Sequence, residues 1–212
     1  IMDWDTHRYL EAFFAVPMLG STLHTVNMRL SPSQIAYTID HAEDDVILFH
    51  SDFIPLLEEV IRDVKRDVRL IIMRDSPDIE LPQTTLKIEA ILDELFLDTD
   101  QYFSFPDFDE NTRATTFYTT GTTGNPKAVA YSHRQLVLHT MGILATFGPM
   151  SANNRFHNRD VYMPITPMFH VHGWGFPYAA TTLGLKQIYP NRFVPSRILK
   201  LVCEHKVTFS HC

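Results

Sequence analysis

Thr116-Phe-Tyr-Thr-Thr-Gly-Thr-Thr-Gly-Asn-Pro-Lys127 is the stretch around which the rest of the chain can be read. A strand, Ala114 to Tyr118, runs into a loop of hydroxyl and glycine residues, then a lysine, then a helix from about Ser132 to Phe147. Gly121 and Gly124 permit positive φ, so that backbone N–H groups can turn inward as an anion-binding nest. Thr119, Thr120, Thr122 and Thr123 add hydroxyls that can also face a magnesium ion, and Lys127 adds a full positive charge on a flexible stem. Each charge-assisted hydrogen bond contributes roughly 1.5 to 3 kcal/mol, so a few of them would hold an oligophosphate. The usual P-loop needs Gly-Lys-Ser/Thr, whereas Lys127 follows Pro126 and precedes Ala128. A plain Thr/Gly-rich turn is the competing reading for any single Thr-Thr-Gly, and the longer run ending in Pro-Lys favours the nest.

Outward from that loop, apolar periodicity alternates helices with strands and shows no internal repeat, which predicts an α/β fold of layered, parallel-rich sheets flanked by helices. On the N-terminal side the pattern gives a helix Thr6 to Met18, a strand Thr22 to Val26 and a helix opened by Ser31-Pro32 and running to Ala42. A strand Val46 to Phe49, a helix Pro55 to Lys65 and a strand Val68 to Met73 follow. The acidic, proline-containing stretch 97–111 is the best internal boundary. On the C-terminal side come a strand Val161 to Ile165, a helix Gly173 to Leu183 bent by Pro177, a strand Gln187 to Tyr189, a helix Pro195 to Glu204 and a strand Val207 to Ser210. A parallel sheet ending on that strand predicts that 1–212 is part of a larger domain.

Composition narrows the function classes. Over 212 residues, 18 Lys+Arg against 25 Asp+Glu give a formal charge of −7, which argues against a sequence-independent nucleic-acid binder. The uncharged stretches 135–154 and 161–185 are broken by Pro, Gly, Gln and His, so neither reads as a transmembrane span. Cys203 and Cys212 form no CxxC pair, and a reducing, cytoplasmic setting is the expectation.

A second constellation is Pro167-Met-Phe-His-Val-His-Gly-Trp174. On a strand, His170 and His172 would share one face and suggest a metal pair, but zinc needs at least three protein ligands and no third is indicated. Trp174 and Phe176 also fit as ordinary core aromatics.

The segment TTFYTTGTTGNPKAVAYSHRQLVLHT, Thr115 to Thr140, resembles the phosphate-binding signature of the adenylate-forming superfamily, which includes acyl-CoA synthetases, luciferases and peptide-synthetase adenylation domains. Arg8 to Phe49, Met163 to Pro190 and Val207 to Cys212 resemble medium- and long-chain fatty-acyl-CoA synthetases, so the likeness covers nearly the whole chain. It implies part of the large N-terminal domain of a two-step ligase, with the C-terminal domain outside this chain. In such a ligase a carboxylic acid attacks the α-phosphate of ATP and coenzyme A then displaces AMP. A carboxylate is already ionised at neutral pH and needs no general base, which agrees with the absence of a Ser-His-Asp pattern.

By the same resemblance, Thr119, Thr120, Gly121, Thr122, Thr123, Gly124 and Lys127 cradle the β- and γ-phosphates, with Thr119 the magnesium contact. His170, the catalytic candidate, lines the junction of the acyl and nucleotide sites, and Val171 and Trp174 lie beside the adenylate, Trp174 gating a fatty-acid tunnel. Ala128 departs from the Gly common there, a change a following helix would tolerate. The chain alone is expected not to turn over, and a homodimer is expected because the long-chain enzymes dimerise. Three readings stand: a fatty-acid CoA ligase, an aryl-acid ligase or peptide-synthetase adenylation domain, and a non-catalytic nucleotide-binding module.

Overall fold

The computed structural model describes residues 1–99, 102–120, 124–150 and 155–212. The first half runs α1 (His7–Met18), β1 (Leu23–Thr25), α2 (Pro32–Ala42), β2 (Val46–His50), α3 (Ile54–Asp63), β3 (Arg69–Met73), β4 (Ile88–Ile91) and α4 (Leu92–Leu95). The second half runs β5 (Arg113–Thr119), β6 (Lys127–Ser132), α5 (His133–Phe147), β7 (Val161–Pro164), α6 (Phe176–Thr182), β8 (Lys186–Gln187), α7 (Pro195–His205) and β9 (Phe209–His211). Among the described residues the strands form three sheets, in the orders β1-β5-β6, β2-β3-β4 and β8-β7-β9, and every pair is parallel except β5 with β6. The α/β architecture expected from the alternating pattern is the one observed.

Local chemistry accounts for where the helices start. The Thr6 hydroxyl accepts from the Tyr9 N–H at the head of α1. Ser31 with Gln34, and Ser132 with Gln135, form complete capping boxes that open α2 and α5. Helices α2 and α3 cover one face of the β2-β3-β4 sheet, burying Ile35, Ile39, Leu57 and Val60 against Ile47, Phe49 and Ile72. A second core joins Tyr9 and Phe13 of α1 to Leu23, Met73, Phe169 and Tyr178, and a third gathers Ile143, Phe156, Tyr162 and Phe176. The extended N-terminus lies along β2, with Met2 N–H donating to the Leu48 carbonyl at 2.8 Å and His50 N–H to the Met2 carbonyl at 2.9 Å.

Three local expectations are corrected. The Thr/Gly loop does not feed a helix directly: it closes a hairpin onto β6, and α5 starts only at His133. Val129 and Tyr131 are half-buried while Ala128 and Ala130 stay exposed, the period of two that marks a strand, in a segment for which the sequence reading sets no element between the loop and the helix at Ser132. Ala128 is therefore a strand residue paired with Tyr118, and helix propensity has no bearing on it. Strand β4 falls between Met73 and the 97–111 boundary, where the sequence reading places no element, and Pro177 sits in the first turn of α6, where its missing N–H costs nothing, instead of bending a longer helix.

Candidate active site

The β5–β6 hairpin positions the site. Thr119 pairs with Lys127 at its tip, and Thr115 pairs with Tyr131 four residues back along the strands, about 13 Å away at the usual strand rise. At the tip, Thr119, Thr120, Gly124 and Lys127 are all exposed. The Thr119 hydroxyl reaches the Lys127 carbonyl at 3.5 Å, the limit of a hydrogen bond. Gly124 has φ +89° with nothing near the position a Cβ would take, as a backbone turned toward open space requires. Gly121, Thr122 and Thr123 lie outside the described residues.

At the base of the hairpin the strand meets the turn that follows β7. Residues 171–175 all have positive φ: Val171 +50°, His172 +54°, Gly173 +55°, Trp174 +55° and Gly175 +78°. Three of these are not glycine, and left-handed backbone costs roughly 1 to 2 kcal/mol for each such residue, so the turn needs external support. His172 supplies much of it. Its ring is buried between Phe13 and Phe117, with centroids 5.3 and 5.4 Å away. The Thr115 hydroxyl donates to the Leu23 carbonyl at 2.9 Å and so accepts from His172 Nε2–H, which fixes the tautomer. Nδ1 is left without a partner among the described residues. Burial pushes the His172 pKa down to about 3, so the ring is neutral.

His139 of α5 adds a second support, donating from Nε2 to the Trp174 carbonyl at 3.1 Å. Asp5 adds a third: its carboxylate accepts from the Met168 N–H at 2.7 Å and holds the segment leading to His170. Burial raises the Asp5 pKa to about 7.

The two histidines therefore do not share a face. His170 is exposed at the start of the turn and His172 is interior, because the left-handed run rotates successive side chains where a strand would alternate them. His172 is singled out in the sequence only as half of a metal pair, and its structural role depends on Thr115, a partner 57 residues away. His139, likewise, carries no sequence signal.

Above the turn is an apolar cavity of about 260 Å³ bordered by Tyr131, Leu136, His139, Val171, His172 and Trp174. A second apolar hollow of about 340 Å³ shares Leu136 and Tyr178 with it and continues between α1 and α5 past Phe14, Val137 and Met141. Val171 is half-buried and Trp174 46% exposed, so the indole stands at the cavity mouth. The structure thus brings Val171 and Trp174 to the cavity, leaves His170 exposed just before the turn and outside the cavity lining, and sets Thr119 and Lys127 further along the hairpin whose Tyr131 borders the cavity. Among the described residues no helix is long and apolar enough to cross a membrane.

The 3-methylmercaptopropionyl-CoA ligase of Ruegeria pomeroyi is 38% identical over 214 residues, covering 99% of this chain and 38% of that protein. The long-chain-fatty-acid–CoA ligase of Thermus thermophilus is 41% identical over 210 residues, covering 99% of this chain and 36% of that protein. The chain thus spans less than two fifths of the length of these curated relatives. Among solved structures, a long-chain-fatty-acid-CoA ligase from Archaeoglobus fulgidus superposes with a TM-score of 0.78 at 19% identity, over 98% of this chain and 38% of that one. An anthranilate CoA ligase in complex with anthranoyl-AMP gives 0.77 at 18% identity, over 99% of this chain and 38% of that one. Likeness at those identities speaks to fold alone. The family model described as AMP-binding enzyme matches residues 1–212, and the chain belongs to that family.

Proposed function

We propose that the chain is the N-terminal part of an ATP-dependent carboxylic-acid CoA ligase, with fatty acids as the substrate class, acting through an acyl-adenylate. The observation that carries this reading is the hairpin, which bears a Thr/Gly/Lys tip at one end and walls an apolar cavity at the other. In the reaction a carboxylate oxygen attacks the α-phosphorus of ATP, the bond to the bridging oxygen breaks and pyrophosphate leaves. The coenzyme A thiolate then attacks the acyl carbonyl carbon and AMP leaves.

The residues have work of positioning and charge neutralisation. The hydroxyls of Thr119, Thr120, Thr122 and Thr123, the backbone at Gly121 and Gly124, and the Lys127 ammonium hold the β- and γ-phosphates and steady the departing pyrophosphate. Thr119 offers an exposed hydroxyl oxygen, the hard donor that Mg²⁺ takes, and the ion when bound neutralises phosphate charge. His170, exposed just before the turn, would contact the junction of acid and nucleotide, while Val171 and Trp174 line the mouth through which the acyl chain enters. An acyl chain in the cavity gains about 0.8 kcal/mol per buried methylene. Cytoplasmic location and a homodimer belong to the same reading, the latter tested by the mass of the protein in solution. Because the relatives are far longer, the 212-residue chain by itself is expected to bind nucleotide without turning over.

The test is ATP-Mg binding to this chain and acid-dependent ATP–pyrophosphate exchange in the full-length protein. Lys127→Ala should weaken ATP-Mg binding about 10- to 100-fold, the loss of one charge-assisted contact. Unchanged ATP affinity in the variant, or no exchange with any fatty acid, overturns the reading.

A further inference from the structure

On the side of the turn away from the cavity, His211 of β9 packs beneath Gly173 and Trp174. Its ring lies 5.9 Å from the Trp174 ring and 4.7 Å from that of Phe176, and is stacked at 9° on Tyr162. Its Nε2 is 3.9 Å from the position a Cβ would take on Gly173. The backbone around it is pinned, since the His211 carbonyl accepts from the Ile165 and Thr166 N–H groups, both at 3.2 Å. Nδ1 makes only a long contact of 3.4 Å to the Tyr162 hydroxyl, and the buried Nε2 faces the Gly173 backbone without a hydrogen bond of ordinary geometry. A ring fixed this firmly, with little hydrogen bonding of its own, offers its neighbours shape.

The other supports of the turn come from α5 through His139 and from β5 through Thr115. Both act on the backbone or on His172, and neither forms a ring–ring pair with the indole. Of these residues only His211 packs against the Trp174 ring itself. We propose that His211 is a positioning residue for Trp174: its ring is the backstop that keeps the indole at the mouth of the apolar cavity, and so sets which acyl chains enter. The positional claim stands on packing alone. Its consequence for acid selection rests on the function proposed above.

The test uses this chain with Trp4→Phe, which leaves Trp174 as the remaining tryptophan. His211→Ala removes the backstop, and acrylamide quenching of Trp174 should rise, by up to about twofold, because a residue that starts 46% exposed can at most about double its exposure. His211→Phe keeps an aromatic ring in the same place, so it should quench as wild type. In the full-length protein, His211→Ala should raise kcat/KM for palmitate relative to butyrate several-fold with KM for ATP unchanged, and His211→Phe should restore the wild-type ratio. Wild-type quenching in His211→Ala overturns the proposal, as does failure of His211→Phe to restore it. Altered quenching in a protein that activates no fatty acid at all would leave the backstop standing and remove the function proposed for the cavity.

Discussion

Gly175→Ala puts the left-handed turn to the sharpest test. Gly175 has φ +78°, and a Cβ there would lie 2.6 Å from His139 Cδ2, 2.7 Å from His139 Nε2 and 3.3 Å from Ile143 Cδ1. Three costs follow. An alanine at positive φ loses roughly 1 to 2 kcal/mol, and crowding a packed site costs typically 1 to 3 kcal/mol. Displacing His139 forfeits its bond to the Trp174 carbonyl, worth about 0.5 to 1.5 kcal/mol. The expected loss is therefore about 2.5 to 6.5 kcal/mol, large against the total stability of an ordinary domain. Gly142→Ala is the control: it lies in α5 with nothing within 4 Å of the added methyl, and should stabilise, by about 0.5 to 1 kcal/mol. Urea unfolding, read as the midpoint at constant slope, measures both. A Gly175→Ala midpoint within error of wild type would show that the turn is not left-handed at 175 or is not held by His139.

Other expectations follow from the same contacts. Thr115→Val leaves His172 Nε2 and the Leu23 carbonyl unpaired in the interior and should cost about 2 to 4 kcal/mol in urea unfolding; Thr115→Ser should recover most of it. Asp5 has a folded pKa of about 7, raised by burial above the ordinary carboxylate value of 3.8. The stability it contributes is complete below that ordinary value and is lost as pH rises through the folded pKa. Asp5→Asn keeps an acceptor for Met168, so its stability relative to wild type should be flat below about pH 4, rise to about pH 7 and then level off; a difference independent of pH would refute the assignment. His172 acts in the opposite sense. Its folded pKa of about 3 lies below the ordinary 6.5, so it favours the folded state near neutrality and loses that contribution as acid charges the unfolded chain, at up to about 1.4 kcal/mol per pH unit between those values. His172→Phe should reduce the slope of stability against pH over that window.

The repeating elements and the phosphate-loop candidates could be read from residue order because they rest on local rules. Period-2 and period-3.6 apolar patterns, the Ser31-Pro32 start and the Thr/Gly/Lys run need no knowledge of distant contacts. Even β6 left a local trace, with Val129 and Tyr131 alternating before the Ser132 capping box. What only the tertiary structure decided is the other half of the site. The conformation of 171–175 costs energy locally, and it persists because Thr115 and His139 reach it, and Asp5 holds the segment before it, from three separate parts of the chain. Local propensity cannot foresee a backbone held against its own preference by long-range contacts. That is why His170 and His172, two residues apart, end up one at the surface and one in the core.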